Sequence, residues 1–369
     1  MAEETIITPD LNFVRSLKGA GAETLKKCYQ CATCSVVCPI SPDDKPFPRK
    51  EMVMAQWGMK QELAADPDVW LCHNCNDCSK YCPRGARPGD VLSVMRQKAI
   101  EENAVPGFMG KIVRNPFLAL LIPIILFLAV LGSTGHLKAP GEGAIEYSNF
   151  MPVTYIEIIF MSAVGLAGIT YLVSLMKFWK TMGSNGAATS KGFVPSLIAT
   201  LVELISHKRF AKCEANGDRR IGHLLVLYAF IGLAITTIWI TYYYYVPHIE
   251  THIPLSDPMK WLGNGSAAAL IIGSLILVAN RMKDKGIDTI SSSFDWTFLI
   301  MIVLLAISGI ATEAVRLAGI KSIAYPVYFV HLVFVFYTIV YFPYSKLAHM
   351  GYRALAITYA KMADRDVQL

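Results

Sequence analysis

Two copies of one cysteine phrase carry the chemistry of this chain: Cys28-x2-Cys31-x2-Cys34-x3-Cys38-Pro39 and Cys72-x2-Cys75-x2-Cys78-x3-Cys82-Pro83. Eight of the nine cysteines lie in them, which leaves only Cys213 elsewhere. This is the spacing that ligates paired [4Fe-4S] clusters. Two-residue gaps on a tight turn aim the first three thiolates of a run at one centre, and the following helix carries the fourth to the other cluster. The expected ligand sets are therefore Cys28, Cys31, Cys34 and Cys82 for one cluster, and Cys72, Cys75, Cys78 and Cys38 for the second. Paired C-x2-C units also occur in zinc sites. Zinc, however, requires neither a third cysteine at the same spacing nor the C-P ending. His73, inside the second run, is expected to tune its cluster through a hydrogen bond rather than to ligate it.

The remaining chemistry lies in histidines on apolar segments. Histidine inside a membrane span is costly and faces the bundle interior for a functional reason. His223 opens one apolar segment and His349 closes another on the same side, so the two form an expected axial pair for haem b. Read as one helix over 323–348, the last segment carries His331 and His349 eighteen residues apart, on one face and about 27 Å apart along the axis. His331 then lies toward the opposite side. It serves either a second haem, with His136, His248 or His252 as candidate partners, or a quinone that needs a proton partner. Glu313 and Arg316, with Tyr325 and Tyr328 nearby, complete the candidate quinone site around His331. An acid and a base there are alternatively an interfacial ion pair among belt aromatics. His207 reads as part of a basic loop, and Cys213 as a thiol without a role.

These side chains need two kinds of scaffold. Hydrophobic residues make up 54% of the 369 and charged residues 17%, unusual for a soluble protein. The expected fold class is all-α. A ferredoxin-like cluster domain over 1–110 precedes a six-helix transmembrane bundle over 111–369, with spans at about 116–132, 153–178, 222–246, 262–280, 294–313 and 323–348. With the N-terminus inside, the inner connections carry fifteen Lys and Arg against four outside, in agreement with the positive-inside rule. This predicts a multi-pass protein of the cell inner membrane with both termini cytoplasmic. Residues 1–27 lack the apolar core of a signal peptide, so the cysteines are expected in a reducing compartment, where clusters form rather than disulfides. The charge of +6 is grouped beside the apolar segments, which points to lipid rather than nucleic acid. An amphipathic stretch, 193–210, is expected to lie along the inner interface or to pack under the cluster domain.

The two cysteine runs, with Pro48-Arg49 between them and Trp70-Leu71 before Cys72, resemble the HdrC-type iron–sulfur subunit of heterodisulfide reductases. The second half resembles the membrane cytochrome b of that group. The stretch from His331-Leu332 to Phe342-Pro343-Tyr344-Ser345-Lys346-Leu347-Ala348-His349 is similar to the haem helix of the nitrate reductase gamma subunit. A fusion of the two parts resembles the QmoC family, the membrane component of quinone-interacting membrane-bound oxidoreductase (Qmo) complexes. The resemblance implies two [4Fe-4S] clusters, haem b with His223, His331 and His349 carried over, and menaquinone as substrate. It also implies soluble flavin-containing HdrA-like partner subunits of the Qmo A and B type, and adenylylsulfate reductase in sulfate respiration beyond them. Leu233 stands where the gamma subunit has a second histidine on the matching helix, so the haem count is one or two.

The chain lacks a dinucleotide fingerprint, since Gly19-Ala20-Gly21 is a lone GxG, and electrons must therefore pass to a partner. A membrane subunit serving a different soluble reductase is the alternative. Catalysis on a disulfide within this chain is disfavoured because no two cysteines are adjacent.

Overall fold

The computed structural model describes residues 7–137, 143–184, 188–207, 219–249, 253–283 and 293–365. Cys213 and His252 lie outside them. The chain is 75% helical, without strands among the described residues.

Eight short helices form the first part: α1 Leu11–Gly19, α2 Thr33–Val36, α3 Arg49–Gln56, α4 Lys60–Ala65, α5 Asp68–Leu71, α6 Asp77–Lys80, α7 Pro88–Asn103 and α8 Met109–Val113. Pro88 starts α7, where its missing N–H costs nothing. The two cysteine runs share one backbone device. Gln30 and Ala32 in the first, and Asn74 and Asn76 in the second, all have φ between 57° and 69°. Two left-handed residues flanking the middle cysteine curl each run, and α2 or α6 follows at once.

Among the described residues, six helices are long and apolar enough to cross a membrane: α9 Pro116–Ser133, α10 Val153–Ser184, α12 Arg219–Tyr245, α13 Pro258–Lys283, α14 Ser293–Leu317 and α15 Lys321–Val340. Helix satisfies the backbone within each segment, as a lipid environment demands. Asn115 caps α9 by accepting from the Leu118 N–H at 3.2 Å, and the helix runs on through Pro123. Between the spans lies α11, Phe193–Ser206, and the described chain ends with α16, His349–Met362. One face of α11 packs on α16 through Glu203–Lys361 at 3.0 Å and Thr200–Thr358 at 3.2 Å. Its Ile198, Val202 and Ile205 stay exposed.

The sixth apolar segment departs from the single helix expected over 323–348. Helix α15 stops at Val340, because Pro343 has no N–H to continue the ladder and its ring opposes the preceding turn. Two 3₁₀ turns, Phe342–Tyr344 and Lys346–Ala348, follow before α16 begins at His349. His331 and His349 therefore sit on different helices, and the one-face, five-turn relation between them does not hold.

Helices α12, α13, α14 and α15 pack in sequence order, while α9 and α10 pack on α15. The α12–α13 crossing is close: a Cβ on Gly273 would lie 2.9 Å from the Gly222 carbonyl and 2.8 Å from Leu225. No such close packing joins α10 to α12 among the described residues, and a cavity opens between them.

The change of composition near residue 110 falls inside α8 and is not a packing boundary. Trp70 stacks on Tyr352 of α16 with centroids 5.2 Å apart and meets Phe178 of α10 edge-on at 6.0 Å. Tyr171 donates to the Ala348 carbonyl and accepts from the Gly351 N–H, both at 2.8 Å. One buried core thus unites the cysteine-bearing part with α10 and α16.

Candidate functional site

Within the first part, Cys34 is surrounded by Cys28, Cys31 and Cys82. Cys38 lies with Cys72 and Cys75, and Cys78 with Cys72, Cys75 and Cys38. Burial, and then these neighbouring sulfurs, push the Cys34 thiol up to about 11. Burial pushes Cys38 up to about 12 despite a hydrogen bond from the Ile40 backbone. Thiols so placed ionise only with a cation to share, which is the role of a metal centre. Backbone N–H groups already point at the sulfurs at matching offsets, Gln30 to Cys28 Sγ at 3.4 Å and Asn74 to Cys72 Sγ at 3.3 Å. Ala86 donates to Cys82 Sγ at 3.3 Å.

The spacing of the sulfurs separates the two kinds of metal centre. Zinc held tetrahedrally brings its thiolates to about 3.8 Å of one another. Among the described residues, only Glu51, Asp66 and Asp68 place three His, Cys, Asp or Glu ligand atoms within 4.8 Å. The cysteine groups are wider than one zinc ion can span and have the donor chemistry of a cubane.

A cavity of about 1110 Å³ begins at the second run and descends through the helices. Cys72 and His73 form its wall at the cluster end, followed by His223 and His349, with His331, Glu313 and Lys260 further down. Small residues, Ala167 and Gly168 of α10 and Gly263 of α13, keep it wide. It exceeds the usual range of a single small-ligand pocket, roughly 300–1,000 Å³.

His223 and His349 meet across this cavity with ring centroids 6.1 Å apart and planes at 84°. Each is held from behind through Nδ1. His349 donates to the Lys346 carbonyl, and His223 shares a 2.8 Å hydrogen bond with Nε2 of His207. Neither of these two bonds uses an Nε2 atom of the facing pair. Two imidazoles on one iron, each bonded at about 2 Å, have centroids about 6 Å apart. The pair fits a bis-histidine metal.

His331 has a different environment. Its Nδ1 meets Ser308 Oγ at 3.0 Å, and Gly309 makes room for the ring, since a Cβ there would come 3.0 Å from Cε1. Among the described residues no histidine ring faces it: His136 lies in the turn after α9, and His248 is exposed with φ 52°. Glu313 pairs with Lys260 of α13 at 2.8 Å, not with Arg316. Arg316 does not line the cavity and lies beside Tyr147. Tyr325 and Tyr328 also turn away from it, packing on Tyr147 at 6.2 and 4.3 Å. The structure therefore assembles His331 and Glu313, adds Lys260, and leaves out Arg316 and both tyrosines.

His207 and Lys260 were not legible as site residues, because each acts across a tertiary contact. Arg353 carried one signal, its place four residues after His349 on the same helical face. Its guanidinium reaches His73 Nε2 at 2.6 Å, so His73 faces an arginine on the cavity wall.

Residues 24–86 match the 4Fe-4S dicluster domain model, and residues 111–368 match the model of citrate utilization protein B. The second match spans most of the chain. The chain belongs to the citrate utilization protein B family. That finding replaces the cytochrome b resemblance for the membrane half. Citrate utilization protein B of Escherichia coli is 25% identical over 309 residues, covering 78% of this chain and 79% of that one. The HdrC-type component of the H(2):CoB-CoM heterodisulfide,ferredoxin reductase of Methanothermobacter marburgensis is 36% identical over 112 residues, 29% of this chain and 58% of that one. An HdrC-like protein of Archaeoglobus profundus is 37% identical over 90 residues, 24% of this chain and 48% of its own. The chain thus spans about half the length of these HdrC-type relatives, and its first part is an HdrC-like 4Fe-4S domain. No solved structure matches.

Proposed function

We propose that this protein is the membrane electron-transfer subunit of a heterodisulfide-reductase-like complex, exchanging electrons between quinone and soluble partner subunits. The observation that carries this reading is the single cavity walled by Cys72, by the facing His223 and His349, and by His331 with Glu313 and Lys260. Cys28, Cys31, Cys34 and Cys82 would hold one [4Fe-4S] cluster, and Cys72, Cys75, Cys78 and Cys38 the other. His223 and His349 would hold haem b. The setting of His331, faced by no other described histidine, favours one haem rather than two. When bound, these groups supply one-electron redox chemistry, while the protein sets potentials through ligands, hydrogen bonds and burial.

At the far end, His331 and the Glu313–Lys260 pair supply proton-exchanging groups beside an apolar space, which suits a quinone head. The resemblance read from the sequence makes that quinone menaquinone. It makes the soluble partners flavin-containing subunits of the Qmo A and B type, with adenylylsulfate reductase beyond them. The same reading places the protein in the inner membrane with the cluster domain cytoplasmic.

A second reading, a membrane component serving another soluble oxidoreductase, is favoured by the family match over residues 111–368. Purified full-length protein tests both. The proposal expects two [4Fe-4S] clusters, one low-spin haem b and reduction of both by a menaquinol analogue. Haem-free protein whose clusters ignore quinol would refute it. Co-purified partner subunits distinguish the two readings.

A further inference from the structure

The two cysteine runs share their local fold but not their surroundings. Three arginines from separate elements end on the short stretch 69–74 that leads into the second run. Arg96 of α7 donates to the Val69 carbonyl at 3.0 Å and the Cys72 carbonyl at 3.4 Å. Arg219, at the start of α12, donates to the Asn74 carbonyl at 3.1 Å. Arg353 of α16 donates to the Leu71 carbonyl at 3.4 Å and to His73 Nε2 at 2.6 Å. Around the matching stretch of the first run, Arg49 donates to the Gln30 carbonyl at 2.9 Å from an exposed position. Only the second run contributes to the cavity wall, through Cys72, His73 and Asn74, and Arg353 lies on that wall with His349 one turn before it. The first run turns outward: Cys31 is exposed, and Tyr29 and Val36 are 68% and 83% exposed.

We propose that Arg353 is the positioning residue that seats the second cysteine run against the membrane cavity. The second run is thereby the membrane-side electron centre, and the first run the side that meets the soluble partner. The proposal rests on the cluster reading above and adds the order of the centres. Electron transfer slows steeply with distance, so a sulfur on the cavity wall exchanges with the cavity faster than one on the opposite surface. Each electron passes singly. The second-run centre is reduced as the cavity-side donor is oxidised, and it is reoxidised as the first-run centre is reduced. The same order runs backward for the opposite flow. Three guanidinium groups also favour the extra negative charge of a reduced cluster, which holds the second-run potential up.

The test is a redox titration of the purified full-length protein followed by electron paramagnetic resonance. The two signals are assigned by their loss in Cys31→Ser and in Cys75→Ser. In Arg353→Gln, the signal that Cys75→Ser removes should shift to lower potential while the other stays. Arg353→Lys, which keeps the charge but loses the fork, should shift it less. Should Arg353→Gln fail to fold, Arg219→Gln reports on the same stretch and should shift the same signal. A shift confined to the signal that Cys31→Ser removes, or unchanged potentials in both glutamine variants, would overturn the proposal. Wild-type protein with fewer than two cluster signals would overturn the cluster reading itself, and the seating proposal with it.

Discussion

The hydrogen bond between His207 Nε2 and His223 Nδ1, 2.8 Å long, offers the sharpest test of the bis-histidine reading. His207 is buried and meets His223 at Nδ1. What it can do is fix the tautomer and aim of the His223 ring, as outer partners of metal-ligating histidines do. His207→Phe keeps a ring of similar size and deletes the hydrogen bond to His223. The buried Nδ1 of His223 then loses its partner, at a cost of roughly 1–3 kcal/mol. That corresponds to the 10–100-fold loss of metal affinity typical of such partners. The variant should therefore still take up haem but release it about 10–100 times more readily to a competing apoprotein. His207→Gln, whose amide can replace the bond, should recover most of the loss, and the cluster signals should be unchanged in both. His223→Ala should abolish the low-spin spectrum outright. Haem retention in His207→Phe equal to wild type would show that the His207 bond supports no ligand, and the axial role of His223 would lose its structural warrant.

Other expectations follow from the same geometry. Cys82→Ser should damage the cluster of Cys28, Cys31 and Cys34 although it lies in the other run, and loss of only the Cys72 cluster, read by resolved cluster spectroscopy, would sink the crossed assignment. His223→Ala and His349→Ala should remove the same haem, whereas variants that lose different haems would break the pair. Glu313→Gln should slow menaquinol-analogue oxidation while leaving the haem and cluster spectra intact, and normal turnover in this variant would move the quinone elsewhere. Burial and the neighbouring Asp66 hold the Glu51 carboxyl well above its ordinary 4.5, with Lys50 opposing. The folded state thus keeps a proton that the unfolded chain releases, and stability is lost as pH rises from that value through the folded one. Glu51→Gln should remove this loss, gaining more over wild type in melting temperature at about pH 8 than at about pH 5. Parallel melting curves would contradict it.

The all-helical class and the six spans were legible because both follow from local composition: an apolar run of sufficient length must close its own backbone hydrogen bonds in lipid. The break after Val340 was also written locally, in Pro343, but the apolar run continues past it and masks the stop. What the sequence could not reveal is which side chains meet across elements. Glu313 reads as a partner for Arg316 because the two are three residues apart, yet α14 turns Glu313 toward the cavity, where Lys260 of α13 meets it. His207 reads as one charge in a basic loop until α11 and α12 bring it against His223.

The same tertiary logic explains why the junction of the two halves escaped a composition boundary. Residues 68–74 are claimed from several directions at once. Lys50 and Arg365 pair with Asp68, Tyr352 stacks on Trp70, Arg353 donates to His73, and Arg219 donates to Asn74. Four of those partners are separated from the segment by more than one hundred residues, so no local pattern announces them. A buried stack and several charge-assisted bonds on seven residues are more than a tether between independent domains requires. They build residues 68–74 into one core with α10 and α16; on the proposed reading, a redox centre beside it would keep a fixed distance from the cavity whatever a partner does on the exposed side.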